Sequence, residues 1–366
     1  MKLRIVVVDK DEGYLKRITD VFQLKYFNEI EISTFTQQEK VDSFLENNDI
    51  DAVLFSEEYS LKNYKGIKFK LITEGEQKDE GGIKTLKKFQ KVENIYRHIL
   101  NAYAETKDNY KFQSVSAKSG TKVVTFCSSN GGVGKTTCAL VYARMMGMIG
   151  KNVLYLNTEK LPSTPEYFTI PSYDKVLNTM SQVFFSVKAG KGNIPMKIES
   201  SLNIDENGVY YFVPSENPLE IMEMKADDWK QLMIQLVSMK KFDLIVVDSD
   251  TDVNETFFEI ADLSDVLVEV NDVENLNASK FASMVKGLKL VERRRKSDWL
   301  NRMVIVLNKV DGHEIPEKIH GITVLGTVLK INGTYIAEET VRAIIENNCA
   351  DALQRLVSLI SEGKKG

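Results

Sequence analysis

Residues Ser128 to Thr137 read S-S-N-G-G-V-G-K-T-T, directly after the apolar run Val123 to Cys127. Glycines at 131, 132 and 134 let the backbone turn so tightly that successive N–H groups face one anion, and the N-terminus of a following helix adds partial positive charge. Lys135 then offers a mobile ammonium to the β- and γ-phosphates of a nucleotide, and Thr136 a hydroxyl to a magnesium ion. The chemistry is phosphate binding. The pattern G-x-x-x-x-G-K-[ST] is met from Gly134 onward, while Ser129 stands where its first glycine belongs.

Such a cradle needs a strand to deliver the loop and a helix to receive it. Val123 to Cys127 supplies the strand, and the run from Cys138 to Met148 supplies the helix. The chain has 366 residues, enough for two domains, and 43% apolar content can fill two cores. Strand and helix alternation recurs throughout. Strands are expected near Ile5–Val8, Glu29–Phe35, Ala52–Phe55 and Phe69–Ile72, with helices over 13–27, 41–47 and 92–103. Residues 104–121 shift to Lys, Ser, Gln, Asn and Asp and read as a linker. Alternation restarts with strands at 123–127, 153–156, 209–213, 244–247, 266–270, 303–307 and 323–325. Phe281, Met284, Val285, Leu288 and Val291 recur at the spacing of one helical stripe. The expected fold is α/β with mainly parallel, doubly wound sheets in domains 1–104 and 122–366, joined by 105–121. Residues 160–208 are the least readable.

A net charge of −4 exerts no global pull on nucleic acid or anionic membrane, so any such binding must be local. Cys127, Cys138 and Cys349 lack C-x-x-C spacing and read as small core residues in a reducing compartment. His98, His313 and His320 show no metal-ligand spacing. No apolar stretch is long enough to span a membrane and no signal peptide precedes the first strand, so the expected location is cytoplasmic.

Asp9 and Asp11 follow the first strand, where a doubly wound sheet places ligand-binding residues. This arrangement resembles the response-regulator receiver domain, a flavodoxin-like fold whose acidic pair holds magnesium and whose phosphoacceptor aspartate ends the third strand. Here that strand ends in Ser56, which lacks the carboxylate nucleophile of the aspartyl-phosphate route. Lys88 approximates the receiver's lysine, and residues 58–80 are too polar to align. The resemblance implies a degenerate receiver used for dimerisation or docking. The alternative is a small flavodoxin-like domain in which Asp9 and Asp11 cap the next helix.

The loop and its surroundings resemble the deviant phosphate loop of the MinD/ParA family, a SIMIBI-type P-loop fold, over residues 122–362. The resemblance implies ATP and Mg2+ as cofactors. Asn130, Gly131, Gly132, Val133, Gly134, Lys135, Thr136 and Thr137 would line the nucleotide, and Thr136 and Asp248 would hold magnesium. Asp248 closes the apolar strand Leu244–Val247 as a Walker B carboxylate. Asn157 and Glu159 occupy the place of the family's aspartate pair, and Glu159 would position the attacking water. Asn308 matches the asparagine that reads adenine, although Asn308-Lys309-Val310-Asp311 also spells the N-K-x-D of guanine-binding proteins; adenine is favoured. Lys135, Glu159 and Asp248 are thus the implied catalytic set. Asn130 replaces the lysine that reaches the partner's nucleotide in this family. Losing such a trans cation costs roughly 10³- to 10⁵-fold in related hydrolases, so slow hydrolysis is expected. Asp250 and Asp252 would compensate or cap the helix near Asn254.

A degenerate receiver ahead of a MinD/ParA-like ATPase is the layout of the TadZ/CpaE proteins. That resemblance implies an ATP-binding homodimer that places Flp-type (tight adherence) pilus and secretion machinery, often at a cell pole or the inner face of the membrane. Two alternatives belong to other classes. A partition ATPase would bind DNA through Glu292-Arg293-Arg294-Arg295-Lys296, a run that also suits a helix C-terminus. A MinD-like membrane switch would use Leu353, Leu356, Val357 and Ile360, a stripe that equally suits core docking.

Overall fold

The computed structural model describes residues 2–61, 64–75, 79–80, 83–106, 120–170, 178–250, 252–272, 279–312, 314–332 and 336–361. The expected linker therefore lies mostly outside the described residues. Contacts divide the chain into two compact units, Met1–Tyr110 with Lys191–Ser200, and Lys111–Gly190 with Ser201–Gly366.

The first unit runs β1 (Leu3–Val8), α1 (Glu12–Tyr26), β2 (Ile30–Phe35), α2 (Gln38–Asn47), β3 (Ala52–Ser56), β4 (Ile67–Ile72), β5 (Asp79–Glu80), β6 (Ile83–Lys87) and α3 (Val92–Thr106). Its sheet has the order β2-β1-β3-β4-β6-β5, parallel except for the β5/β6 edge. Without β5 this is the 2-1-3-4-5 order of flavodoxin-like folds. Ile5 to Val8 are buried without alternation, as strands covered on both faces must be. Leu15, Ile18 and Phe22 of α1 and Ile95 and Ile99 of α3 share one core with Ile5, Val7, Leu54 and Leu71. On the opposite face Val6, Val8, Val53 and Phe55 meet Val41 of α2 with Tyr59 and Leu61.

Among the described residues no helix follows β3 or β4. Parallel neighbours usually take a helical crossover. Here the segment after β3 lays aromatic side chains on the sheet instead: Tyr59 donates to Thr36 O at 2.7 Å and Tyr64 to Ile50 O at 2.8 Å. The polarity of 58–80, with no amphipathic stripe, has this physical counterpart.

The chain continues with β7 (Lys122–Cys127), α4 (Lys135–Met148), β8 (Val153–Asn157), α5 (Met180–Ala189), α6 (Ile194–Ser201), β9 (Leu202–Ile204), β10 (Val209–Phe212), α7 (Pro218–Met222), α8 (Ala226–Ser238), β11 (Leu244–Asp248) and α9 (Glu255–Leu263), all but α6 in the second unit. It closes with β12 (Val266–Asp272), α10 (Ser279–Arg295), β13 (Met303–Val310), β14 (Lys318–Ile319), β15 (Ile322–Leu329), α11 (Ala337–Glu346) and α12 (Asp351–Ser361). The sheet order is β14-β15-β13-β12-β7-β11-β8-β10-β9, with antiparallel pairing only at its two edges. β7 is central, between β12 and β11.

α4 is buried on nearly every side, from Cys138 through Ala143, which suits a helix enclosed by protein. Val341 and Ile344 of α11 and Leu353 and Leu356 of α12 join the core that encloses it. On the other face Phe257 of α9, Phe281, Met284 and Leu288 of α10, and Trp299 form a second core. The hard-to-read stretch 160–208 holds a 3-10 turn at Thr164–Glu166, α5, α6 and β9, and residues 171–177 lie outside the described residues. Residues 191–200 group with the first unit, where Lys197 Nζ donates to Asn101 Oδ1 of α3 at 2.6 Å and Asn193 N to Ala104 O at 3.1 Å.

Candidate functional site

The loop between β7 and α4 has the conformation its glycines permit. Gly132 and Gly134 take φ values of +75° and +89°, the left-handed region that side chains resist. A Cβ on Gly134 would also lie 2.2 Å from Asn308 Nδ2. Gly131 and Gly132 face open space, so the cradle is free of side chains where an anion would enter. No side chain caps α4. Its first-turn N–H groups therefore remain as donors at the positive end of the helix. Ser128 Oγ donates to Asn130 O at 2.7 Å and accepts from Asn130 N at 3.1 Å, which ties the loop's entry turn. The Asn130 side chain donates to Ser129 Oγ at 3.2 Å.

Strand order places the charges. β11 lies between β7 and β8, with Asp248 in register with Asn157. Lys135 Nζ reaches back from α4 to donate to Asp248 Oδ1 and, at 2.9 Å, to Glu159 Oε1. Tyr155 OH donates to Asp248 Oδ2 at 2.8 Å. Asn157 Oδ1 accepts from Glu159 N at 2.8 Å, and its Nδ2 donates to Glu159 Oε2 at 3.3 Å, which holds that carboxylate in place. Burial opposes the charge on Lys135, but Asp248 and Glu159 outweigh it and its pKa is raised. Burial, reinforced by Asp248, pushes the Glu159 carboxyl up against the pull of Lys135. The tyrosine, whose phenol burial and Asp248 hold well above its usual range, was legible only as one more apolar strand residue.

Two further clamps hold the loop from β12 and β13. Asn308 Nδ2 donates to Val133 O at 2.8 Å and Lys309 Nζ to Gly132 O at 2.7 Å. The N-K pair thus grips the phosphate loop. The second clamp is Glu269, fully buried in β12, whose Oε1 accepts from both Ser129 N and Ser129 Oγ at 2.9 Å. Sequence reading missed it, although an acidic residue amid Val266-Leu267-Val268 and Val270 in a central strand was the available signal.

The residues present suit Mg-nucleotide. Lys135 and Asp248 meet beside a side-chain-free anion cradle, with Thr136 on the first turn of α4 and half-buried. Thr137 follows it on the same turn. A bound magnesium would supply charge neutralisation at the phosphates, held by the Thr136 hydroxyl and Asp248.

At the C-terminal edge of the other sheet, Asp9 Oδ1 accepts from Lys88 Nζ at 2.9 Å and from Asp11 N at 2.8 Å. Asp11 caps α1 by accepting from Tyr14 N at 2.9 Å, and its carboxylate lies 3.8 Å from Lys88 Nζ. The lysine ammonium sits 4.9 Å from the Tyr14 ring centroid. Asp9 Oδ2 and Ser56 Oγ are buried without hydrogen-bond partners. This is a poor magnesium site, because Lys88 already faces both carboxylates, and no described cluster of three or more metal-binding side chains exists.

Other expectations resolve on geometry. The α9 cap is Asn254, which accepts from Phe257 N at 3.1 Å, while Asp250 and Asp252 face Lys160 at 4.0 and 3.1 Å. In the basic run, Arg295 pairs with Glu255, with Glu259 at 3.0 Å and with Asp262 at 3.2 Å, whereas Arg293 and Arg294 are exposed. The α12 stripe is docked, with Leu353 and Leu356 in the core and Val357 and Ile360 packed against it. No described helix is long and apolar enough to cross a membrane. Cys127 and Cys138 are buried and Cys349 half-buried. Burial, with Lys84 nearby, pushes His98 down to about 4; His313 lies outside the described residues.

Residues 1–104 match the family model of the TadZ-like receiver domain. No curated protein matches the chain by sequence. Among solved structures, a ParA family ATPase from Chlorobium tepidum TLS is 14% identical with a TM-score of 0.51, over 66% of this chain and 99% of that one. The MinC:MinD cell division complex of Aquifex aeolicus is 13% identical (67% and 97% covered, TM-score 0.49). The septum site-determining protein MinD of Pyrococcus horikoshii OT3, complexed with Mg-ADP, is 16% identical (67% and 96% covered, TM-score 0.47). The chain joins a TadZ-like receiver domain to a unit with the fold of ParA-type ATPases, as the sequence implied.

Proposed function

We propose that the second unit binds Mg-ATP and uses it to mark an assembled state, a homodimer, with slow hydrolysis or none, and that the assembly positions Flp-type pilus or secretion machinery. The binding half of this reading rests on one observation. Lys135 and Asp248 meet beside an uncapped helix N-terminus and a glycine loop with positive φ at 132 and 134. Lys135 would hold phosphate oxygens with its ammonium, and Thr136 and Asp248 would hold the magnesium ion, whose charge would neutralise the phosphates. Glu159, held by Asn157, orients water.

The slow-hydrolysis half rests on Asn130. It is uncharged, shorter than lysine, 7% exposed and engaged with Ser129. Adenine is the base read here, with Asn308 at the loop. The first unit serves as a docking or dimerisation module of the TadZ-like kind. The division into 1–104 and 122–366, with 105–121 as linker, belongs to the same reading. Calorimetric titration with Mg-ATP should give saturable heat, sedimentation should show dimer only with nucleotide, and phosphate release should stay far below tens per second. Absent heat would end the binding claim; turnover at tens per second would end the state-marker claim. Unlabelled GTP should compete poorly with ATP.

A further inference from the structure

We propose that Glu269 is a positioning residue for the nucleotide, holding the first turn of the phosphate loop, and that it takes up one proton from solvent as the nucleotide binds. This rests on the Mg-ATP reading above.

The geometry is a buried carboxylate under an anion site. Glu269 lies in β12, beside β7 in register with Cys127 and beside β13 in register with Ile305. Its Oε1 takes both the N–H and the hydroxyl of Ser129 at 2.9 Å, and Cys127 Sγ donates to Oε2 at 3.6 Å. Ser129 is where the loop pattern expects glycine, so serine and glutamate form a paired departure: a hydroxyl added above meets an acceptor added below. A glycine at 129 would offer Glu269 its N–H alone.

The neighbouring groups leave the carboxylate without a cation. Among the described residues the titratable group facing it from β7 is the Cys127 thiol, itself pushed well up by burial and then by Glu269. The rest of this face, Phe257 of α9 and Phe281, Met284 and Val285 of α10, is apolar, and Phe281 carries the His320 ring at 5.5 Å. The loop's own lysines are committed, Lys135 to Asp248 and Glu159, and Lys309 to Gly132 O. Burial raises the Glu269 carboxyl to about 7, against the Ser129 and Cys127 hydrogen bonds.

A triphosphate seated on the adjoining N–H groups repels this charge. Protonation removes the repulsion and keeps the clamp: Oε1 still accepts from Ser129, while Oε2–H turns to Cys127 Sγ. With a free value near 7 and a bound value well above it, Mg-ATP affinity should fall about tenfold from pH 6 to pH 8, beyond any slope of the nucleotide itself.

Full-length chain is titrated with Mg-ATP at pH 6, 7 and 8, each in two buffers of different ionisation enthalpy, for wild type, Glu269→Gln and Ser129→Gly. Wild type should take up about one proton per nucleotide at pH 8. Glu269→Gln should take up about one fewer and lose the excess slope, because the amide carbonyl keeps the Ser129 clamp without the charge. Ser129→Gly, which takes away the hydroxyl that favours the charged carboxylate, should lower the uptake at pH 7 and move it to higher pH, a second reading of Glu269 if Glu269→Gln fails to fold. Equal slopes and proton counts in wild type and Glu269→Gln, or an unmoved uptake profile in Ser129→Gly, would overturn the proposal while leaving Mg-ATP binding intact. No heat in any chain would instead strike the binding reading.

Discussion

Replacing Lys135 by methionine tests the site without nucleotide as well as with it. The lysine is 6% exposed, Asp248 0%, and the Glu159 side chain 22%, so the substitution strands two carboxylates in a largely dry place. Removing one partner of a buried ion pair costs about 3–5 kcal/mol. The upper end is out of reach, because one carboxylate can neutralise itself. Protonating a glutamate of ordinary pKa 4.5 at pH 7 costs about 3 kcal/mol, which caps the loss. Glu159 is the group that takes the proton, since burial and Asp248 already raise it. The sign follows. In the variant the folded-state pKa of Glu159 rises further above its unfolded value, so the stability it retains at low pH is lost as pH rises through the folded value. Urea unfolding at pH 5.5 and 7.5 should show Lys135→Met destabilised by about 3 kcal/mol at the higher pH and clearly less at the lower. Adding Glu159→Gln should restore much of the loss, and Mg-ATP heat should be absent throughout. A variant as stable as wild type at both pH values would refute the ion-pair account of the unliganded site.

Gly134→Ala should abolish Mg-ATP heat and cost about 1–3 kcal/mol, read as a lowered Tm, because residue 134 sits at φ +89° and an added Cβ meets Asn308 Nδ2. Unchanged binding would deny the Asn308 clamp. In the other unit, Lys88→Met should lower stability to urea by about 3 kcal/mol at pH 7, since Asp9 is 2% exposed and, among the described residues, keeps the Asp11 N–H as the remaining donor to its side chain. A neutral effect would make that ion pair incidental.

Much of the fold was legible because central parallel strands announce themselves. Val123 to Cys127 and Leu244 to Val247 are runs that only a covered sheet explains, and the glycine-lysine-threonine string fixes the turn between strand and helix. Elements that depend on tertiary context were not. The two-residue edge strands β5 and β14 carry no pattern of their own, and α6 is a short helix whose partner, α3, lies almost a hundred positions earlier. At the site, motif residues were readable and their supports were not. Tyr155 looked like filling until Asp248 stood beside it in the neighbouring strand, and Glu269 gained meaning only under Ser129. Asn308 was readable as a motif residue, but the hold of its amide on Val133 O was not.

The ammonium of Lys88 has a bearing on what kind of message the first unit can carry. A diffusible cation or a transferred phosphoryl group arrives and departs, giving a domain two electrical conditions. A charge tethered by four methylenes to the backbone, 2.9 Å from Asp9, does neither. It is not withdrawn by a chelator or a phosphatase, and its balance with the acid beneath it was settled when the chain was translated. On the docking role proposed above, the first unit would be informed by contour, by which surface another protein offers it, and the coming and going of charge would be left to the phosphate loop.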